Sequence, residues 1–283
     1  EFFPLEADAP GTSKLLHEVL IDLIDIDPQN VYTPDGTIAK ESIFDFCKDY
    51  EKKIEKLGGL DLTLVEFGPS GNLAFNEPGS QINSSTRLML LGSESRHNFA
   101  KLFHSNEAVP HSAITMGIST LLGAKKVIVV GWGETISPYV RQAIEAPASD
   151  TVPASFLQSH KESKFVLDLS SAEHLTRLST PWLVTSCEWD DKLIRRAIVW
   201  LCRITGKPIL KLTNKDYNDN GLSELLALFG SAYNVNIKIF NDLQHTITGW
   251  PGGKPNADDT FRPERAKPYP KKVIVFSPHP DDD

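Results

Sequence analysis

The chain has 283 residues, of which 40% are hydrophobic and 23% charged, a composition typical of a globular protein with one large domain or two. Its formal net charge of -8 comes from interspersed acidic and basic residues, which excludes a basic surface for the phosphate backbone of nucleic acid. No apolar run approaches the roughly 20 residues of a membrane helix, and the three cysteines lack a paired spacing, so we expect a cytoplasmic protein without nucleic-acid or membrane partners.

Hydrophobic spacing predicts two helices and a strand near the start of the chain. Apolar residues recur at helical spacing over 15–24 and again over 38–57. The run 62–67 (LTLVEF) has the composition of a strand. It ends in a loop of turn residues, Gly68-Pro69-Ser70-Gly71.

A second strand, at 127–130, is followed by the glycine turn Gly131-Trp132-Gly133 and by a helix through 140–144. Its continuous apolar sequence predicts a strand that is covered on both faces. A further strand is predicted at 165–167. Strands that alternate with helices indicate an α/β fold with a doubly wound, mostly parallel sheet of the Rossmann-like, three-layer kind. Ligands bind such sheets beyond the carboxyl ends of the strands, here in the loops after Phe67 and Val130.

The sequence pattern changes beyond about residue 170. A helix is predicted over 192–204, strands at 208–212 and 235–240, and a helix over 222–229 between those strands. We therefore predict a second, smaller α/β or helical unit over 171–247. A segment rich in proline and glycine, 248–270, is predicted to be a connector, and 271–283 begins a further domain with a strand at 272–277.

The loop from Phe67 to Ser80 contains most of the polar groups that could bind a ligand. Ser70, Asn72 and Glu77 place a hydroxyl, an amide and a carboxylate close together in sequence, beside glycines that allow backbone N–H groups to approach an anion. The residues alone leave open whether this is a binding site or an ordinary surface turn.

The segment Gly68–Ser80, G-x-x-G-x-x-A-F-N-E-P-G-S, resembles the active-site segment of glucosamine-6-phosphate deaminases, whose usual form is GxGxDGHIAFNEP. Four other segments resemble family motifs in the same register: EFFPL at 1–5, IDPQNV at 26–31, STR at 85–87 and ITMGISTLL at 114–122. The resemblance covers residues 1 to about 170. It implies a deaminase-like domain whose N-terminal part, with the phosphate loop and the aspartate base, precedes Glu1.

The resemblance also implies a reaction and the residues that carry it. The family converts an amino-sugar phosphate from aldose to ketose and releases ammonia, which requires an aspartate and a histidine for ring opening. These two positions fall on Ser70 and Asn72, and neither side chain titrates near neutral pH. Glu77, which orients the histidine in the family, is retained. We therefore expect an acid/base site that is impaired, with no cofactor in this domain.

Phosphate contacts are also implied by the resemblance. The substrate-binding positions are Gly71, Lys101, Ser80 and Arg87. Lys101 replaces an arginine, which keeps the positive charge but loses bidentate geometry. The family lysine of the glycine turn falls on Ile136. Ser80 and Arg87 are the positions of the family's effector-phosphate contacts.

A second motif lies at the end of the chain, where the apolar run 273–276 is followed by Ser277-Pro278-His279-Pro280-Asp281-Asp282. It resembles the zinc-dependent N-acetylglucosaminyl deacetylases of the phosphatidylinositol-glycan type, whose motif is HPDD[ED]. The resemblance implies that His279 and Asp282 bind zinc and that Asp281 activates water. Because a third ligand is not present in this sequence, we expect zinc only in a complete deacetylase-like domain.

Two hypotheses of different classes follow. In the first, residues 1–170 form a glucosamine-6-phosphate deaminase/isomerase homologue, impaired at its acid/base site, that acts in amino-sugar metabolism and is fused to a deacetylase. In the second, the same residues form a non-catalytic domain that binds a sugar phosphate or serves as a scaffold beside the zinc-dependent deacetylase. A small-molecule amino-sugar phosphate is the expected partner in the first case, and a homo-oligomer is left open.

Overall fold

A computed structural model describes residues 1–6 and 9–248, with side chains as far as residue 243. The chain divides into two units, Glu1–Val184 and a second that begins at Thr185. The segment 271–283, with its predicted strand and metal motif, lies outside the described residues, as does the predicted connector after residue 248.

Six strands lie in the described part of the first unit: β1 (Phe2–Phe3), β2 (Leu62–Glu66), β3 (Arg87–Leu90), β4 (Ser112–Thr115), β5 (Lys126–Gly131) and β6 (Ser163–Leu167). Strands β2, β5 and β6 form a parallel sheet in that order, with Leu64 paired to Ile128 and Ile128 paired to Lys164. The predicted strands at 62–67, 127–130 and 165–167 are therefore confirmed, and so is their parallel arrangement. β-Branched residues dominate β5, as expected of a central strand.

The other three strands form a separate antiparallel sheet with the order β1-β4-β3. Phe2 pairs with Ala113, and Arg87 pairs with Thr115. Side chains of this sheet build their own small core, in which Phe2 contacts Phe75, Phe99 and Phe103 edge to face. Sequence analysis did not predict this sheet.

Seven α-helices belong to the described part of the first unit: α1 (Thr12–Val19), α2 (Ile43–Lys56), α3 (Ser93–Phe99), α4 (Ile118–Leu122), α5 (Ser137–Glu145), α6 (Leu169–Ala172) and α7 (Thr176–Ser179). The predicted helices over 38–57 and 140–144 are confirmed as α2 and α5. The predicted helix over 15–24 is shorter, because α1 ends at Val19 and a 3-10 turn follows at Ile21–Leu23. Its apolar residues are partly or largely exposed.

One face of the parallel sheet is buried and the other is not. Val65 and Val129 lie in one row of the buried face and form a single core cluster with Leu121 of α4 and Val140 of α5. On the opposite face, Leu64 is 67% exposed and Val166 is 56% exposed. Strand β5, for which cover on both faces was predicted, is buried at Val127 and Val129 and half-buried on the other face at Ile128 and Val130. Cover on both faces and the three-layer arrangement stay predictions.

The described part of the second unit is helical: α8 (Asp191–Thr205), α9 (Asn214–Asp219), α10 (Ser223–Phe229) and α11 (Ala232–Thr248). The helices predicted over 192–204 and 222–229 are confirmed as α8 and α10. The two predicted strands are wrong, since 208–212 contains a 3-10 turn and 235–240 lies inside α11. Of the two predicted alternatives, the described part of this unit is therefore helical and not α/β. Val235 and Ile239, both fully buried, are one helical turn apart, so their pattern fits a helix as well as a strand.

The ends of α8 show why this helix forms where it does. Asp190 accepts a hydrogen bond from the Leu193 backbone N–H at 2.6 Å, which caps the first turn. Gly206 ends the helix with the left-handed φ of 66° that glycine adopts at low cost. None of the described helices is both long and apolar enough to cross a membrane.

Candidate functional site

The loop after β2 begins beside the turn after β5. The Phe67 backbone N–H donates to the Val130 carbonyl at 2.7 Å, so both connections leave the same carboxyl edge of the parallel sheet. A tight turn follows, in which the Gly68 N–H donates to the Asn72 carbonyl and the Gly71 N–H donates to the Gly68 carbonyl. Gly71 has a φ of +76°, a conformation that favours glycine. The sheet topology thus confirms that these two loops lie side by side, as predicted from the sequence.

Ser70 and Asn72 are bonded to each other rather than directed to solvent. The Ser70 hydroxyl donates to Asn72 Oδ1 at 3.0 Å, and Asn72 Nδ2 donates to the Ala74 carbonyl at 2.6 Å. Asn72 is only 4% exposed. Its amide packs onto Gly68, where a Cβ would lie 2.2 Å from Oδ1. At the position where a proton-transferring histidine is implied, this chain therefore has a buried amide that stabilises the turn.

Glu77 lies partly exposed at the far end of the same loop. Its Oε1 atom is buried and makes no hydrogen bond with any described residue. Gly92, at the start of α3, lies close to the other oxygen, since a Cβ there would be 3.3 Å from Oε2. Within the described residues, Glu77 is therefore a retained carboxylate without a histidine to orient.

Arg87, Ser80 and Asn76 form a second polar group at the end of the loop. Arg87 donates from Nη1 to Asn76 Oδ1 at 2.9 Å and from Nη2 to Ser80 Oγ at 3.0 Å. Asn76, fully buried, is fixed by donating to the Leu73 and Met116 carbonyls. Burial lowers the pKa of the Arg87 guanidinium, and no carboxylate in the described part of the chain pairs with it. An arginine held by neutral partners is available for an anion.

A cleft of about 730 Å³ adjoins this arginine, within the size range of small-molecule sites. Arg87 lines it together with Lys40 and Lys48, so three cations contribute to one concave surface. Glu51 also lines the cleft, and its Oε1 atom accepts hydrogen bonds from the Thr86 N–H and from the Thr120 hydroxyl, each at 2.6 Å. Because Glu51 belongs to α2 and Thr120 to α4, these bonds link Thr86, the residue before Arg87, to both helices.

Two carboxylates at the carboxyl edge of the parallel sheet were not identified by sequence analysis. Asp168 follows β6 and accepts hydrogen bonds from the N–H groups of Ser171, at 2.8 Å, and Gly133, at 3.2 Å. Hydrogen bonds from Ser171, and then from Gly133, lower the pKa of the Asp168 carboxyl. Glu66 is the last residue of β2. Their place at the ends of predicted strands is the signal that could have found them.

Lys101 lies exposed after α3. Its implied role as a phosphate contact stays a prediction. The residues assigned to the metal motif, His279, Asp281 and Asp282, lie outside the described residues.

A family model described as glucosamine-6-phosphate isomerases/6-phosphogluconolactonase matches residues 3–166, more than half of the chain. The chain belongs to this family. The parallel sheet up to the penultimate residue of β6, the loop after β2 and the Arg87 group lie within the matched residues, whereas the helical unit after Val184 does not.

Individual relatives agree with this assignment. A Bacteroides thetaiotaomicron protein described as glucosamine-6-phosphate deaminase-like is 65% identical over 284 residues, covering 100% of this chain and 43% of that protein. The glucosamine-6-phosphate deaminase of Shewanella halifaxensis is 36% identical over 177 residues, covering 62% of this chain and 66% of that protein. A solved structure of a monomeric glucosamine-6-phosphate deaminase matches with a TM-score of 0.58 and 30% identity, over 61% of this chain and 71% of that chain. The chain thus spans less than two thirds of the length of these two curated relatives.

Proposed function

We propose that the first unit is a sugar-phosphate-binding homologue of glucosamine-6-phosphate deaminases whose acid/base pair has been replaced by a structural hydrogen bond. The bond from Ser70 to the buried Asn72 amide is the observation that carries this proposal. A hydroxyl and an amide cannot exchange protons with a sugar ring near neutral pH. Loss of a general acid or base typically lowers a rate by about 10²–10⁴-fold.

Binding is expected to be better preserved than turnover. Arg87 keeps a charged, partly buried guanidinium that is held by Ser80 and Asn76 and has no acidic partner among the described residues. Lys101 supplies a further point charge at an exposed position. The same observations support the alternative function, a binding or scaffolding domain beside a zinc-dependent deacetylase, because Glu77 has no histidine to orient among the residues that the structure describes.

Ammonia release from glucosamine 6-phosphate distinguishes the two functions. The full-length protein, the single variants Ser70→Asp and Asn72→His, and the double variant are compared. An impaired enzyme gains at least tenfold in the double variant over either single variant, since the acid and the histidine act together. A binding domain gains nothing. Turnover of the unmodified protein at the roughly 1–10³ s⁻¹ typical of enzymes would contradict the proposed impairment.

Calorimetric titration with glucosamine 6-phosphate tests the binding half of the proposal. Arg87→Met keeps much of the side-chain length but removes the charge, and we expect at least a tenfold loss of affinity, as for one hydrogen bond to a charged group. Arg203→Met changes an exposed arginine of the second unit and serves as the matched control. Equal affinities of the two variants would remove Arg87 from the proposed site.

A further inference from the structure

Glu51 uses only one of its two carboxylate oxygens to stabilise the fold. Oε1 accepts hydrogen bonds from the N–H and the hydroxyl of Thr86 and from the hydroxyl of Thr120. Oε2 accepts none from any described residue, and no lysine or arginine in the described part of the chain forms an ion pair with this carboxylate. Because Glu51 is half-buried and lines the cleft beside Arg87, its second oxygen is available to a group that enters the cleft.

The bonds of Oε1 also place this carboxylate next to the arginine. Thr86 directly precedes Arg87, and the Thr86 backbone nitrogen lies 2.6 Å from Glu51 Oε1. Consecutive Cα atoms are about 3.8 Å apart, so the two charged residues are neighbours in space. Both line the same cleft of about 730 Å³. One small ligand in this cleft can therefore contact a positive and a negative side chain.

The charge of Glu51 is not needed for its structural bonds, since a neutral amide oxygen accepts hydrogen bonds from N–H and O–H groups as well. A half-buried carboxylate without a counter-ion is costly, because it has lost part of its hydration. A ligand cation that pairs with Oε2 offsets this cost. One free carboxylate oxygen does not supply the several oxygens that a hard metal ion requires, whereas an ammonium group donates to it directly.

We propose that Glu51 binds the ammonium group of an amino-sugar phosphate whose phosphate pairs with Arg87, so that the cleft selects amino sugars over sugar phosphates without an amino group. This inference rests on the proposed function, because it assumes that the sugar phosphate binds through Arg87. Lys40 and Lys48 line the same cleft and add to the positive charge near the phosphate. Glu51 is thereby assigned as a specificity-determining residue.

The test compares glucosamine 6-phosphate with glucose 6-phosphate, which differ only in the substituent at C2. Both are titrated calorimetrically into the full-length protein, into Glu51→Gln and into Glu55→Gln. Glutamine at position 51 keeps one oxygen for the threonine donors but replaces Oε2 by an amide nitrogen, which cannot accept from an ammonium group. Glu55 is the matched control, because it lies one turn further along α2 and lines the same cleft but is exposed, and its carboxylate has no hydrogen bond to a described residue.

We expect the unmodified protein and Glu55→Gln to prefer the amino sugar by about tenfold or more, as for one hydrogen bond to a charged group. In Glu51→Gln the preference should fall to about threefold or less, while affinity for glucose 6-phosphate stays within about threefold of the unmodified protein. The ratio of the two affinities separates recognition from a structural role, because a distorted cleft would weaken the binding of both sugars alike.

Four results would overturn the assignment: a preference for the amino sugar that survives in Glu51→Gln, an equal loss of affinity for both sugars in that variant, a loss of preference in Glu55→Gln that is as large, or equal affinity of the unmodified protein for both sugars. Failure of both sugar phosphates to bind the unmodified protein, or binding that Arg87→Met leaves unchanged, contradicts the proposed function itself and the assignment with it.

Discussion

The Ser70 hydroxyl donates to Asn72 Oδ1 over 3.0 Å, and this bond joins the two positions at which relatives of this chain are expected to exchange protons. The same two side chains have therefore become part of the loop's internal structure. Any restoration of chemistry at these positions must also replace the contacts that they now make.

Replacing Asn72 by alanine should destabilise the first unit. The substitution removes a buried amide together with its partly buried 2.6 Å hydrogen bond to the Ala74 carbonyl, which costs about 1–3 kcal/mol. Ser70→Ala removes one donor to the same amide and should cost less, about 0.5–1.5 kcal/mol. Urea unfolding measures both free energies. Equal or reversed costs would show that the Asn72 amide does not stabilise the loop.

Gly68 should tolerate no side chain as long as Asn72 is present. A Cβ at this position would lie 2.2 Å from Asn72 Oδ1, so Gly68→Ala must displace the amide, at a cost of about 1–3 kcal/mol. In the Asn72→Ala background the obstruction is gone and most of this cost should disappear. A double-mutant cycle in urea should give a coupling of about 1 kcal/mol or more. If the effects of Gly68→Ala and Asn72→Ala are additive, the Asn72 side chain is not what destabilises the alanine at position 68.

In the second unit, the Tyr217 hydroxyl should contribute measurably to stability. It donates to Asn236 Oδ1 at 2.7 Å, and Asn236 Nδ2 donates to the Leu212 carbonyl at 2.8 Å, all in the buried core. Tyr217→Phe leaves an unpaired amide oxygen and should cost about 1–3 kcal/mol. Tyr233 is 70% exposed, so Tyr233→Phe should change stability by less than about 0.5 kcal/mol. Thermal or urea unfolding that fails to separate the two variants would contradict the role of this pair.

Asp216 should make the stability of the second unit depend on pH in the acid range. The Lys207 ammonium, 2.7 Å and 2.9 Å from its two oxygens, and the Thr213 N–H and hydroxyl hold the pKa of Asp216 at about 2. The unfolded value is about 3.9. Because the folded pKa is the lower one, this stabilisation is fully present above about pH 4–5 and is lost as the pH falls toward 2.

Urea midpoints between pH 7 and pH 2 should therefore fall less steeply in Asp216→Asn than in the unmodified protein. Asp219→Asn serves as the control, since it alters an exposed ion pair with Lys215 on the same helix. If the urea midpoint falls by the same amount between pH 7 and pH 2 in all three proteins, Asp216 does not cause the loss of stability in acid.

The strands of the parallel sheet could be predicted because their signal is local. β5 is a run of apolar, mostly β-branched residues that ends in glycine, and no helical spacing competes with it. Two other features of the fold could not be predicted from the local sequence. Strands β3 and β4 have four residues each and are recognisable as strands only through their pairing. The apolar pattern of Val235–Phe240 fits the two-residue period of a strand as well as the 3.6-residue period of a helix.

The candidate site, too, could be predicted only in part from the sequence. Comparison of the loop with the family motif led to the prediction that Ser70 and Asn72 cannot transfer protons, and this stays a prediction. It could not show that the Asn72 amide turns inward onto Gly68, because that depends on the path of the backbone between them. Asp168 was missed because a carboxylate after a predicted strand is common, and only the fold shows that it accepts a hydrogen bond from the Gly133 N–H of the neighbouring turn.

Strand β2 pairs with β5, yet the whole antiparallel sheet except β1 lies between them in the chain. During synthesis, at roughly 5–20 residues per second, β2 leaves the ribosome seconds before its partner exists. Closing so long a loop is also slow, because the conformational entropy of the loop is lost before the strand pairs that stabilise the sheet have formed. Val65 of β2, which is buried in the folded protein, is therefore open to other chains throughout this interval. The yield of folded protein should accordingly depend on temperature and on chaperone supply more than that of a helical protein of equal size.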